Sequence, residues 1–163
     1  MKIRIALSIC AVLLATVGGF AQQRTLGTLS VNRYDSLSTG NPYGTYGSPY
    51  SPVSINNPYG VFGSTYSPYS VSNPYATDTP RIFSRDGHYL GKLSANPYDP
   101  ESTSNPYGRY GSPFAPNSIS NPYSTYGSPY SAMSPNNPYS MDGPVIVPPS
   151  RVLGFNWGLE DPD

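Results

Sequence analysis

The stretch Asn105-Pro106-Tyr107-Gly108-Arg109-Tyr110-Gly111-Ser112-Pro113-Phe114 holds the turn chemistry that governs most of this 163-residue chain. Asn at the first place of a type I turn, Pro at the second with its φ already fixed, and Gly at the fourth are the residues that this turn prefers. Asn-Pro-Tyr-Gly recurs at 41–44 and 57–60, and Ser48-Pro49-Tyr50-Ser51 and Ser128-Pro129-Tyr130-Ser131 repeat the pattern from serine. Asn-Pro-Tyr itself begins at Asn41, Asn57, Asn73, Asn96, Asn105, Asn121 and Asn137. From Pro97 through Pro106, Pro113, Pro122 and Pro129 to Pro138, the prolines that precede a ring are separated by 9, 7, 9, 7 and 9 residues. The chain is asked to turn at each of them. Helices do not fit in such gaps, and proline at this density excludes central strands. The expected fold is mostly irregular and low in β structure, built from repeated β-turns, with helix confined to the extreme N-terminus.

The repeat sits inside a larger duplication. Residues 26–75 align without a gap on 90–139, so Leu26-Gly27-Thr28-Leu29-Ser30 matches Leu90-Gly91-Lys92-Leu93-Ser94. The first copy keeps the same beat, with Arg33 and Thr65 in place of two prolines. Between the copies, Arg81-Ile82-Phe83-Ser84 and His88-Tyr89-Leu90-Gly91-Lys92-Leu93 flank Arg85-Asp86-Gly87. Asp-Gly between apolar runs is a strong hairpin signal, which predicts a hairpin over 81–93 with Asp86-Gly87 at its tip. A lone hairpin is marginal in water, and Val145–Val147 or the segment 151–155 near Trp157 are the candidates for a third strand.

The N-terminus reads as an export signal. Lys2 and Arg4 precede an apolar run over 5–17, and Gly19-Phe20-Ala21 ends in the small-residue pattern of a cleavage site. The run is shorter than the roughly 20 residues of a spanning helix. Cleavage after Ala21 is expected, with a retained anchor as the alternative. The one cysteine, Cys10, follows Ile9, where a lipid-attachment site requires a small residue. The expected segments are 1–21 signal peptide, 22–76 first copy, 77–93 hairpin segment, 90–140 second copy sharing the hairpin's second arm, and 141–163 C-terminal tail. Without Lys2 and Arg4, seven basic side chains face nine acidic ones, and no cysteine remains. There is no basic patch for nucleic acid and no thiol for a disulfide or metal. No membrane span is expected after cleavage.

Charge is absent from 36–77 and from 110–141, which are rich in Pro, Tyr, Ser, Asn and Gly. That composition describes a disordered chain, the competing expectation, although sixteen tyrosines are unlike one. The string from Asp86-Gly87-His88-Tyr89-Leu90-Gly91-Lys92-Leu93-Ser94, through Asn96-Pro97-Tyr98-Asp99-Pro100-Glu101-Ser102, to Asn105-Pro106-Tyr107-Gly108-Arg109-Tyr110-Gly111-Ser112-Pro113 resembles a family of uncharacterised bacterial proteins built from Asn-Pro-Tyr repeats. The resemblance covers roughly 24–140 and implies a bacterial source, without an activity.

Catalytic constellations are sparse. His88 is the only histidine, beside the hairpin tip, and a base also needs an orienting partner. Asp99, Glu101 and Asn105 could offer calcium oxygens but fall short of the six to eight that calcium takes, so turn capping is the expected role. No catalytic residue, metal site or cofactor is expected. The tyrosines carry two readings: rings that cover neighbouring turns in place of an aliphatic core, or rings set out as a platform. The candidate surface is Tyr43, Tyr59, Tyr75, Tyr98, Tyr107, Tyr123 and Tyr139. The leading expectation is an exported, non-catalytic protein with a structural or interaction role in the bacterial envelope or extracellular space. A carbohydrate- or cell-wall-binding module is the alternative, so the partners in view are a glycan, the cell wall or another envelope protein. Oxidative cross-linking of tyrosines is a third use.

Overall fold

A computed structural model describes residues 25–149. The expected signal segment and the strand candidate at 151–155 lie outside the described residues. Among those described there is no helix, and the regular structure is a three-stranded antiparallel sheet in an otherwise irregular, turn-built chain. Its strands are β1 (Arg81–Phe83), β2 (Tyr89–Lys92) and β3 (Val145–Val147), in the order β2-β1-β3. The expected hairpin is present. Gly87 N–H donates to Ser84 C=O at 3.0 Å, and Gly87 takes φ +88°, which a glycine tolerates without strain. Val145–Val147 supplies the third strand.

The sheet shows that the duplication extends beyond the turns. β1 and β3 pair as Arg81↔Val147, Ile82↔Ile146 and Phe83↔Val145, so each strand meets its own counterpart 64 residues away, centred on Ile82 and Ile146. Residues 26–28 run along the other edge of β3, with Leu26 N–H on Ile146 C=O at 2.8 Å and Ile146 N–H on Gly27 C=O at 3.0 Å. They are the counterpart of β2, and Thr28↔Val145 repeats Arg81↔Lys92. An approximate two-fold axis therefore passes through the Ile82–Ile146 pair. Residues 77–83 close the first copy as 141–147, grouped with the tail by sequence, close the second. In the first copy, residues 26–28 are bordered by β3 as β2 is bordered by β1.

Gly27 and Gly91 also correspond, at φ +86° and +100°. A Cβ on either would lie 2.5 or 2.7 Å from the carbonyl oxygen of Leu37 or Glu101, so both the conformation and the close approach require glycine. The hydrophobic core consists of three corresponding pairs: Leu26 with Leu90, Phe62 with Tyr126, and Ile82 with Ile146. Two clusters form around them and share Leu29 and Leu93. Among the described residues, six such side chains are few, and nineteen buried polar residues surround them. Hydrogen bonds must therefore organise most of the interior, because a buried polar group without a partner is destabilising.

They do so on a regular plan. Turns follow one another head to tail, with N–H···O=C bonds from Ser51 to Ser48, Ser54 to Ser51, Asn57 to Ser54 and Gly60 to Asn57, followed by a four-residue step from Ser64 to Gly60. The second copy repeats this through 112, 115, 118, 121 and 124, with its long step to 128. A nine-residue proline interval is three short turns, and a seven-residue interval is one short turn and one long. The chain also meets itself at a constant offset. Ser38, Ser54, Ser70, Ser102 and Ser118 donate their hydroxyls to the carbonyl eight residues earlier at 2.9–3.0 Å. Halfway between these contacts, Gly47, Gly63, Gly111 and Gly127 press against the carbonyls of Thr39, Ile55, Thr103 and Ile119, again eight residues back. A constant offset means parallel stacking, so each copy is a tight superhelix with about eight residues per circuit.

Candidate functional site

The asparagine of Asn-Pro-Tyr positions the ring that follows it. In Asn121, Oδ1 accepts the Tyr123 N–H at 2.9 Å while Nδ2 donates to Ala115 C=O at 2.9 Å. Asn41, Asn57, Asn73, Asn105 and Asn137 make the same two bonds, forward to the Tyr amide and back six residues. The carboxamide of asparagine carries both the acceptor and the donor that this clip uses, on two separate atoms. With the side chain holding the turn and proline fixing φ, the Pro-Tyr pair forms the outward corner.

All seven candidate tyrosines stand in solvent, together with Tyr34, Tyr50, Tyr66, Phe114 and Tyr130, at 85–97% exposure. The expectation that the ring after each proline covers a neighbouring turn is overturned at these positions. With about eight residues per circuit, spacings of nine and seven return each ring to the same edge. Residues 34, 43, 50, 59, 66 and 75 form one row, and 98, 107, 114, 123, 130 and 139 form the other. The five additional members were visible in the nine-seven beat. What the sequence lacked was the length of the circuit, which unites both spacings on one edge.

A different set of aromatics faces inward. Tyr46, Phe62, Tyr110 and Tyr126 each precede Gly-Ser at the four-residue step, where the extra residue turns the ring toward the interior. The glycine after each is buried, and a Cβ there would lie 2.1–2.3 Å from the carbonyl oxygen of an Asn-Pro-Tyr asparagine. That Gly-Ser pair is the sequence signal of an interior ring. Burial pushes the Tyr126 phenol up, and it pushes the Tyr89 phenol up strongly, with Tyr89 seated between Phe83 and Tyr110 at centroid distances of 5.4 and 5.2 Å.

The remaining polar clusters are occupied by the fold. Asp99 accepts the Glu101 N–H at 2.9 Å, Asn105 makes its clip, and Lys92 Nζ lies 2.6 Å from Glu101 and 3.8 Å from Asp99. Burial works against the Lys92 charge, but the Glu101 hydrogen bond and the Asp99 carboxylate outweigh it and raise its pKa. The residues considered for calcium thus cap turns and hold an ammonium. Among the described residues no group of three or more His, Cys, Asp or Glu is placed to hold a metal. At the hairpin tip the Ser84 hydroxyl donates to Asp86, whose carboxyl it holds below the usual value, and it accepts the His88 N–H at 3.0 Å. His88 Nε2 is 3.6 Å from Asp86, and the Tyr126 hydroxyl is 3.3 Å from it. The Ser84 hydroxyl also lies 3.2 Å from His88 C=O, so its bonds to Asp86 and to the His88 backbone lock the tip of the hairpin.

Among the described residues no helix is long and apolar enough to cross a membrane. No family model, curated protein or solved structure matches the chain.

Proposed function

We propose that the protein is an exported, non-catalytic repeat protein of the bacterial envelope or extracellular space that holds a partner on its two rows of aromatic rings. The observation that carries this reading is the exposure of twelve rings, one per circuit. Exposed apolar area gathered in one place marks interaction surfaces, and aromatic rings bring large contact area at little entropic cost. Export is supported by the charged start, the apolar run and the Gly19-Phe20-Ala21 site. The occupied hydroxyl and carboxylates around Ser84 and Lys92 support a structural use of the polar clusters. A carbohydrate-binding module is the second reading, favoured by the rings' exposure and by the lack of charge in the segments that carry most of them.

The test is retention on isolated envelope and cell-wall fractions of residues 22–163, compared with a variant carrying Y43S, Y59S, Y107S and Y123S. These four rings lie outside the core, so the variant should keep the native circular dichroism spectrum while losing most of the retained protein. Equal retention of both proteins would remove the rows from the function. A protein found only in the cytoplasm of its source cell would remove export.

A further inference from the structure

We infer that the partner of the aromatic rows is a linear, uncharged polysaccharide, laid along a row so that successive sugars stack on successive rings. This rests on the interaction reading above and assigns its ligand class. The first argument is periodicity. The rings return once per circuit of about eight residues, and the Ser hydroxyl bonds hold that circuit constant along both copies. A track with one repeated feature suits a ligand with one repeated feature. Polymers have this property and the surfaces of most folded proteins do not.

Charge narrows the class. No charged side chain occurs in 36–77 or 110–141, which contain nine of the twelve rings. Nucleic acids and anionic lipid surfaces are held largely by Lys and Arg, and those segments offer none. The face of an aromatic ring is apolar and carries partial negative charge, which suits the C–H face of a pyranose. Phe114 indicates which part of the ring matters: at 89% exposure it keeps its place in the row without a phenol. Recognition through the hydroxyl, or radical coupling of tyrosines, would be interrupted there, whereas stacking would not. The backbone beneath is set in advance by proline and by the asparagine clips, so little freedom is lost when a chain is laid down.

Weak contacts repeated along a row make affinity grow with ligand length. The test is affinity electrophoresis of residues 22–163 through gels containing neutral β-1,4-glucan, β-1,4-linked N-acetylglucosamine polymer or α-1,4-glucan, with a sulfated polysaccharide as the charged arm. At least one neutral polymer should retard the protein, with little change between low and high salt. Its monosaccharide should not compete, and oligomers of increasing length should compete progressively better. Removal of one ring by Y107S or Y123S should weaken binding about threefold to tenfold, the scale of one aromatic contact. F114Y should bind as the native chain does, and so should Y46F, which alters an inward ring.

Three results would overturn the proposal: no retardation by any neutral polymer, retardation only by the sulfated polymer with loss at high salt, or row variants that change the sedimentation coefficient and leave retardation intact. Failure here with retention on envelope fractions preserved would reject the polysaccharide and leave the interaction role standing. Failure of both would reject both.

Discussion

Replacing Asn121 with alanine should reveal how much each clip stabilises the superhelix. The residue is 7% exposed, and truncation removes two bonds of 2.9 Å, one from the Tyr123 N–H and one to Ala115 C=O. A neutral hydrogen bond contributes about 0.5–1.5 kcal/mol net, and an orphaned buried group costs about 1–3 kcal/mol. Ala115 and Tyr123 lie toward the surface and regain some water, so the expected loss is about 2 kcal/mol rather than the upper sum. Asn121→Ser keeps the acceptor, as the native Ser118 turn does for Ser120 N–H at 3.1 Å, while its side chain, shorter by one atom, should lose the bond to Ala115. It should lose about half as much, roughly 1 kcal/mol. Urea unfolding followed by near-ultraviolet circular dichroism of the tyrosines gives both values, and the slope checks that the unfolded reference is unchanged. A loss within about 0.5 kcal/mol of native for Asn121→Ala would refute the clip as a stabilising element. Equal losses for Ala and Ser would refute the role of the backward bond.

Further perturbations test the other contacts. Gly63→Ala places a Cβ 2.3 Å from the Asn57 carbonyl oxygen and should destabilise by about 1–3 kcal/mol, whereas Gly60→Ala, 3.3 Å from the Asn57 Cβ, should stay within about 1 kcal/mol in thermal melts. Ile82→Ala and Ile146→Ala remove fully buried, symmetry-related side chains, and each should cost about 2–5 kcal/mol in urea titrations. The double variant should be non-additive because the two residues face each other. Asp86 has a lowered pKa, so its contribution is present above the unfolded value of about 3.9 and is lost as pH falls through the lower folded value. Amide shifts of Gly87 and His88 should move in that acid range and stay flat in D86N. Tyr89 has a raised pKa, so stability should fall as pH rises above about 10, where the unfolded phenol ionises first. Y89F should flatten that alkaline loss in denaturation at pH 9–12.

The turns were legible because their chemistry is local. Asn, Pro and Gly of 105–108 state their own geometry within four residues, and the observed Gly108 N–H bond to Asn105 C=O at 3.1 Å is the one that such a turn makes. The hairpin at Asp86-Gly87 was legible for the same reason. Closure of the superhelix was not, because it depends on serine hydroxyls reaching eight residues back, and serine is too common here for Ser54 or Ser118 to stand out. The facing of the tyrosines was left between two readings because ring size suggests burial, while the Asn-Pro pair ahead of each ring aims it outward. Tyr126 and Tyr130 are the same residue type four places apart, one inside and one out, and the Gly-Ser after Tyr126 distinguishes them. The correspondence of β1 with β3 was obscured by side chains: Arg81-Ile82-Phe83 and Val145-Ile146-Val147 share only the isoleucine.

That central pairing has a historical consequence. An antiparallel contact in which a residue meets its own counterpart is what two identical subunits form across a dyad, with the same patch used on both sides. Each copy ends in a strand whose two edges are both bordered by the other copy, so one copy by itself would leave its terminal strand unpaired. Joined through the five residues 84–88, the two halves associate within one chain, independent of concentration. Joining also released the halves from identity: Lys92, Glu101 and Arg109 stand in one copy where Thr28, Leu37 and Thr45 stand in the other. Two surfaces that once had to change together can now diverge separately.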